Sequence, residues 1–177
     1  MVVVLVSMNF KAIPGHSRYE ISYCGNVLDL KTGKCVAIYV DRRYLRCSIR
    51  LETGKHSIRK IHVLLALTWI PNPDNKPTVD HWDCNPSNNS LDNLRWATRQ
   101  EQNWNRVAQG WYHQPDCTKN PYEVKIKNNS GKNIHLGFFS TSDEAQIVYE
   151  EKCIEWRGIW APKIYHDRKR LRQLNPN

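Results

Sequence analysis

The chain has 177 residues, with 26 Lys and Arg against 17 Asp and Glu and a formal net charge of +9. That length allows one or two small domains with modest cores and leaves little room for one large enzyme fold. A basic excess spread along the sequence favours a polyanionic partner, nucleic acid ahead of an anionic membrane surface. The opening run MVVVLV is too short to span a bilayer and lacks the flanks of a signal peptide, so a soluble cytosolic protein is expected. The cysteines at 24, 35, 47, 84, 117 and 153 include no CxxC pair and no His at zinc-ligand spacing. A zinc finger is therefore excluded in favour of reduced, half-buried thiols.

Residues 9–60 read as short strands and turns. YEISYCGNVLDLKTGKCVAIYV alternates apolar and polar residues around Gly25-Asn26 and Thr32-Gly33, and YLRCSIRLETGKHSIRKIHV repeats the pattern, which predicts a small antiparallel β unit. The spacing of Ile61, Leu64, Leu65 and Thr68 with Trp69 predicts a helix over 61–70, stopped by the PNPDNKP segment. VDHWDCNPSNNSLDN follows, a loop whose Asn and Asp side chains satisfy backbone groups locally. A strand over 94–97 and a helix from about residue 98, with Glu101 as its capping-box partner, complete this stretch. Gly, Pro, Asp and Asn interrupt any helical period from 110 to 121, placing a boundary near 110. Beyond it, YEVKIK and NIHLGFF flank the turn NNSGK, and Thr141 with Glu144 caps a helix burying Ala145, Val148, Tyr149, Cys153 and Trp156. Lys163 to Arg172 are basic and polar, and a solvated helix or a disordered arm that adds nonspecific affinity for phosphates is expected there.

The chemistry concentrates between Asp80 and Asn105, where a carboxylate, an imidazole and several amides fall within one strand-loop-strand-helix span. Phosphodiester hydrolysis needs a base for the attacking water, a hard cation for the developing charge, and stabilisation of the departing oxygen. His81 suits the first role because imidazole titrates near neutral pH, and Asp80 suits the second because hard cations prefer carboxylate oxygen. An amide oxygen from Gln102, Asn103 or Asn105 is the candidate for completing a metal site. Neighbours in a regular strand point to opposite faces, so Asp80 and His81 can share a site only if the strand ends there. Taken alone, an Asp-His pair is more often a surface turn.

The surrounding elements reverse that weighting. IHVLLALTWIPNP, VDHWDCNPSNN, LDNLRWAT and RQEQNWNR stand in an order and spacing that resembles the HNH nuclease module of phage and intron-encoded homing endonucleases. The resemblance implies a ββα-metal fold holding one Mg²⁺ or Mn²⁺ and no zinc. It implies Asp80 as a metal ligand, His81 as general base, and Asn93, counted with His81 in the catalytic set, as the prop of the His loop. The family's third metal ligand, an Asn or His, falls on Gln102, with Asn103 one place later. Gln departs from the pattern, and its extra methylene costs rotamer entropy and shifts the reach. His62 matches a recurrent family His that packs the helix and is expected to be structural.

Two flanks carry further resemblances. FKAIPGHSRYEISYCGNVLDLKTGK resembles the small nuclease-associated modular domain, whose usual start falls at Met8, so that MVVVLVS is read as an N-terminal extension or a start-site choice. YEVKIKNNSGKNIHLGFFSTSDEAQIVYEEKC resembles the Apetala-type DNA-binding domain of ethylene-response factors. That resemblance implies a three-stranded sheet in the major groove, presenting Lys125, Lys127, Asn133 and His135, while Val124, Ile126, Leu136 and Phe138 face the helix. Lysines stand where that family has arginines, which shifts the balance from base readout to phosphate positioning.

The expected fold is therefore α+β in small modules: a nuclease-associated β module over 8–60, an HNH module over 61–109, an Apetala-type domain over 110–162, and a basic tail over 163–177. The expected activity is a homing-type endonuclease that binds double-stranded DNA as a monomer and nicks one strand. It would be phage- or mobile-element-encoded and act in the host cytoplasm. The rivals are a DNA-binding regulator whose nuclease centre has decayed, supported by Gln102, and an RNA-binding or RNA-cleaving protein, suggested only by charge and aromatic content.

Overall fold

A computed structural model describes residues 9–106, 108–128 and 130–161. The run MVVVLVS and the basic residues 163–177 lie outside the described residues. The chain divides into two compact units, Met1–Arg99 and Gln100–Asn177.

The first unit opens with β1 (Phe10–Ile13), β2 (His16–Ser22), β3 (Val27–Asp29) and β4 (Lys34–Cys35), which form an antiparallel sheet in that order. A second antiparallel sheet contains β5 (Ile38–Asp41), β6 (Tyr44–Arg50) and β7 (His56–Lys60). The helix α1 (Ile61–Trp69) follows directly, and then the hairpin of β8 (Thr78–His81) and β9 (Leu94–Ala97). The alternation in 9–60 thus resolves into two sheets where the sequence pattern reads as one β unit.

The helix α1 has no side-chain N-cap, no acid in its first turn and no base in its last. Short helices without such local support are held by packing. Ile61, His62, Leu64, Leu65 and Ala66 are all buried. Ile61, Leu64, Leu65 and Ala66 join Ile13, Tyr19, Ile21 and Val27 of the first sheet, Cys47 and Ile49 of the second, and Val79 and Leu94 of the hairpin in one core. That core runs continuously across residues 60 and 61. The helix ends where the sequence requires: Ile70 is extended, as a residue before proline tends to be, and its N–H still donates to the Ala66 carbonyl. Gly25 lets the β2–β3 turn lie against this helix. Its φ of 92° favours glycine, and a Cβ there would come within 3.0 Å of Ile61 Cγ2.

The helix α2 (Arg99–Trp104) carries the junction between the units. The second unit contains β10 (Trp111–His113), β11 (Tyr122–Lys127) and β12 (Asn133–Phe139) in one antiparallel sheet, with α3 (Ser142–Arg157) packed on it. The Thr141 Oγ1 accepts from the Glu144 N–H at 3.2 Å, capping α3 as the sequence predicts. Ile126 and Cys153 form the centre of this core, with Leu136, Tyr149 and Trp156 against them.

One strand departs from simple alternation. Val124 pairs with Gly137 but Lys125 pairs with His135, so Leu136 is an extra residue on β12. Gly137 takes φ 142° at this bulge. The bulge corrects the expected helix-facing position of Phe138: that side chain pairs across from Glu123 on the open face and is 47% exposed. No disulfide joins the six cysteines, and burial pushes the Cys47 thiol up to about 11.

The shared core makes a stability difference measurable. Leu65→Ala, at a fully buried position, is expected to cost roughly 2–5 kcal/mol in urea unfolding. Ile58→Ala, more than half exposed on β7, should stay within about 0.5 kcal/mol.

Candidate active site

The hairpin brings the sequence-predicted pair to the end of a strand. The strand β8 finishes at His81, and residues 82–84 turn away, with the Cys84 N–H donating to the His81 carbonyl at 2.9 Å. Both side chains are buried, Asp80 to 5% and His81 to 7% exposure.

Their surroundings differ. Arg95 lies directly opposite Asp80 in the register, and its Nε donates to Asp80 Oδ2 at 3.0 Å. This ion pair offsets part of the cost of burying the carboxylate. The Arg95 guanidinium also lies over the Trp82 ring, 5.1 Å from its centroid. His81 instead donates from Nε2 to Asn89 Oδ1 at 2.9 Å. That bond places a proton on Nε2, so in the neutral ring the lone pair is on Nδ1. His62 packs edge-on to the His81 ring at 4.7 Å between centroids, and Tyr44 lies 5.3 Å from His62 and 6.3 Å from His81.

The loop between the strands is tied by Asn93. Its Oδ1 accepts from the Asp83 N–H at 3.0 Å, and its Nδ2 donates to Asp83 Oδ1 at 2.9 Å and to the Asn88 carbonyl at 2.8 Å. Its own carbonyl accepts from the Trp82 N–H at 2.8 Å. Asn88 Nδ2 donates to the other Asp83 oxygen at 2.7 Å. One buried amide therefore holds both sides of the turn that follows His81.

His62 is as much electrostatic as structural. Burial, with smaller contributions from His81 and Lys60, lowers its pKa to about 3, and its Nδ1 has no hydrogen-bond partner among the described residues. It meets His81 as a neutral ring. Gln102 is half-buried and Asn103 exposed on α2, and Asn105 is buried just beyond that helix.

Sequence reasoning missed Asn89, Arg95 and Tyr44. Arg95 stands inside the NLRW run used to align the hairpin, so only the strand register was lacking. Asn89 is one of several asparagines in its loop, and nothing in that repetition singles it out. Tyr44 comes from the other sheet and has no local signal.

In the second unit the structure places Lys125, Lys127, Asn133 and His135 exposed on the open face of the sheet, opposite α3. Val124 and Ile126 are buried on the other face. Glu123, also missed by the sequence reading, lies on the open face but is only 6% exposed. Its Oε1 accepts from Lys125 Nζ at 2.7 Å and lies 3.4 Å from His135 Nε2, and its Oε2 accepts from Gln114 Nε2 at 2.8 Å. The Lys125 hydrogen bond outweighs the opposing effect of burial and holds the Glu123 carboxyl below its ordinary range.

Comparison with known proteins places the hairpin in context. Residues 60–104 match the family of HNH endonucleases. The DNA endonuclease I-HmuI of Bacillus phage SP01 is 30% identical over 123 residues, which are 68% of each chain. An uncharacterised HNH endonuclease of Acanthamoeba polyphaga mimivirus is 36% identical over 87 residues, or 49% of this chain. The chain spans only about a quarter of that relative, 26% of its length. The solved structure of the HNH homing endonuclease I-HmuI, a study of its DNA binding and cleavage, superposes with a TM-score of 0.50 at 22% identity. The match covers 73% of this chain and 78% of that one, and shows a common fold.

The neutral His62 gives a pH signature. Its folded pKa of about 3 lies below the ordinary 6.5, so unfolding takes up a proton in the window between. Stability is full above pH 6.5 and falls as pH drops below it. His16, lowered by burial and Arg59, acts in the same direction. Between pH 6.5 and 4.5, above the carboxylate range, His62→Phe should lose stability less steeply than wild type, by up to about 1.4 kcal/mol per pH unit. Urea midpoints across that range measure this, and parallel slopes would place the titration elsewhere.

Proposed function

Because the chain belongs to the HNH endonuclease family, we propose that it is a metal-dependent DNA endonuclease of the homing type, hydrolysing a phosphodiester with one divalent cation. The observation that supports this reading best is His81, whose Nε2–H is committed to Asn89 so that the lone pair on Nδ1 serves as the base.

The donor chemistry fits a hard cation. Among the described residues no three His, Cys, Asp or Glu side chains gather. An ion here would therefore take one carboxylate together with amide, phosphate and water oxygens, the habit of Mg²⁺ or Mn²⁺ rather than zinc. Asp80 is the carboxylate in this reading, and the family pattern supplies Gln102, or after it Asn103, as the helix ligand. When bound, such an ion neutralises the charge developing on the phosphate and the leaving 3′ oxygen.

The chain's own residues do the rest. His81 takes the proton from the attacking water at Nδ1, Asn89 holds its ring in one tautomer, and the neutral edge of His62 limits its tilt. Asn93 positions the loop behind it. Lys125, Lys127, Asn133 and His135 grip duplex DNA from the second unit as an Apetala-type domain, and residues 8–60 serve as a second grip. One such site per chain, acting as a monomer, nicks a single strand. A phage or mobile element is the natural source of such an enzyme, acting in the host cytoplasm. Gln102, where the family has Asn or His, favours one rival, a DNA-binding regulator that no longer cuts.

Nicking of supercoiled plasmid with Mg²⁺ or Mn²⁺ separates the two. The wild-type chain should nick and stop on chelation, and His81→Ala should lose roughly 10²–10⁴-fold in rate with duplex binding nearly intact. A wild-type chain that binds duplex but never nicks, whichever metal is supplied, belongs to the regulator instead. Lys125→Ala combined with Lys127→Ala should weaken duplex binding and lower its log–log salt slope by about 0.9 for each phosphate that is no longer neutralised.

A further inference from the structure

Glu123 is an acid at the centre of a basic face. Tyr112 on β10 and Phe138 on β12 are its cross-strand partners, and these exposed rings flank it on both sides. Its carboxylate is turned inward among three partners: Lys125 and His135 at one oxygen and Gln114 at the other. A buried carboxylate with both oxygens engaged is poorly placed to touch a base edge or a cation of its own. It can only act through the groups it holds.

Two of those groups, Lys125 and His135, are among the four side chains proposed to meet DNA. A lysine on a free four-carbon stem swings to meet any phosphate, whereas one anchored at 2.7 Å presents its ammonium from one place. The carboxylate also repels every duplex equally, which lowers affinity without regard to sequence. Lys127, the next outward lysine on β11, is exposed and has no ion pair to Glu123.

We propose that Glu123 is a specificity-determining positioning residue of the DNA-binding face: it withholds Lys125 and His135 from indiscriminate phosphate contact and fixes them for a chosen sequence. This rests on the reading that the open sheet face meets DNA. Lys127 then supplies sequence-independent attraction, and Lys125 contributes mainly where the duplex lets the anchored geometry be kept.

The test uses the full chain and two probes: a duplex selected by the wild-type protein from a randomised pool, and poly(dI-dC). Anisotropy titrations over a KCl series give affinity and salt slope for each. Glu123→Gln should bind poly(dI-dC) more tightly, with a slope steeper by about 0.9, the mark of one more neutralised phosphate. Its preference for the selected duplex should fall about tenfold, a change of about 1.4 kcal/mol. Adding Lys125→Met should remove the extra slope. A folded Glu123→Gln protein with wild-type slope and preference overturns the proposal. If that variant does not fold, single lysine variants decide: Lys125→Ala should weaken the selected duplex about tenfold more than poly(dI-dC), and Lys127→Ala should weaken both alike. Equal weakening on both probes for Lys125→Ala overturns the role of Glu123. A wild-type chain that binds neither probe overturns the reading of the face, and this inference with it.

Discussion

Leu64 and Leu65 leave none of their surface to solvent, and the first unit is arranged around that fact. The helix that carries them touches β1, β2, β6, β7, β8 and β9, so both sheets and the hairpin take their places from one apolar rod. Each fully buried leucine contributes about 1.5–3 kcal/mol relative to exposure. The unit has no disulfide to share the task. Because His62 and Ala66 are one helical turn apart, the same helix that fills the core also delivers an imidazole against His81. Core packing and site geometry are in this sense one constraint, and a shift in the helix would move both.

The reading from sequence went furthest where signals are local. Pro71 and Pro73 stop α1, the strand over 94–97 follows its hydrophobic pattern, and Thr141 caps α3, because each depends on residues within a few positions. It failed where a contact joins distant parts of the chain. Tyr44 reaches His81 from another sheet, and nothing near Tyr44 encodes that approach. The ion pair of Asp80 with Arg95 required the register of the hairpin, which a two-residue period does not fix. Phe138 was misplaced because alternation assumes an unbroken strand, and the extra Leu136 breaks it.

The two units treat carboxylates in the same manner. Asp80 and Glu123 are both buried beside a basic partner, Arg95 in one case and Lys125 in the other. In each, a chain of net positive charge keeps a negative group buried beside one of its own cations. The partners differ in kind. Arg95 is itself largely buried and stacked on Trp82, so its position is fixed by packing, whereas Lys125 is exposed and is held mainly by the acid.

The bulge at Leu136 has a wider consequence. The same letters paired without that bulge would alternate regularly from His135 onward, turning Phe138 towards α3 and Phe139 outward without altering any side chain. The chemistry of this face is thus written in the register of a strand as well as in its letters. One residue, taken up as a bulge or in regular pairing, decides which of two neighbouring rings such a sheet shows to a partner.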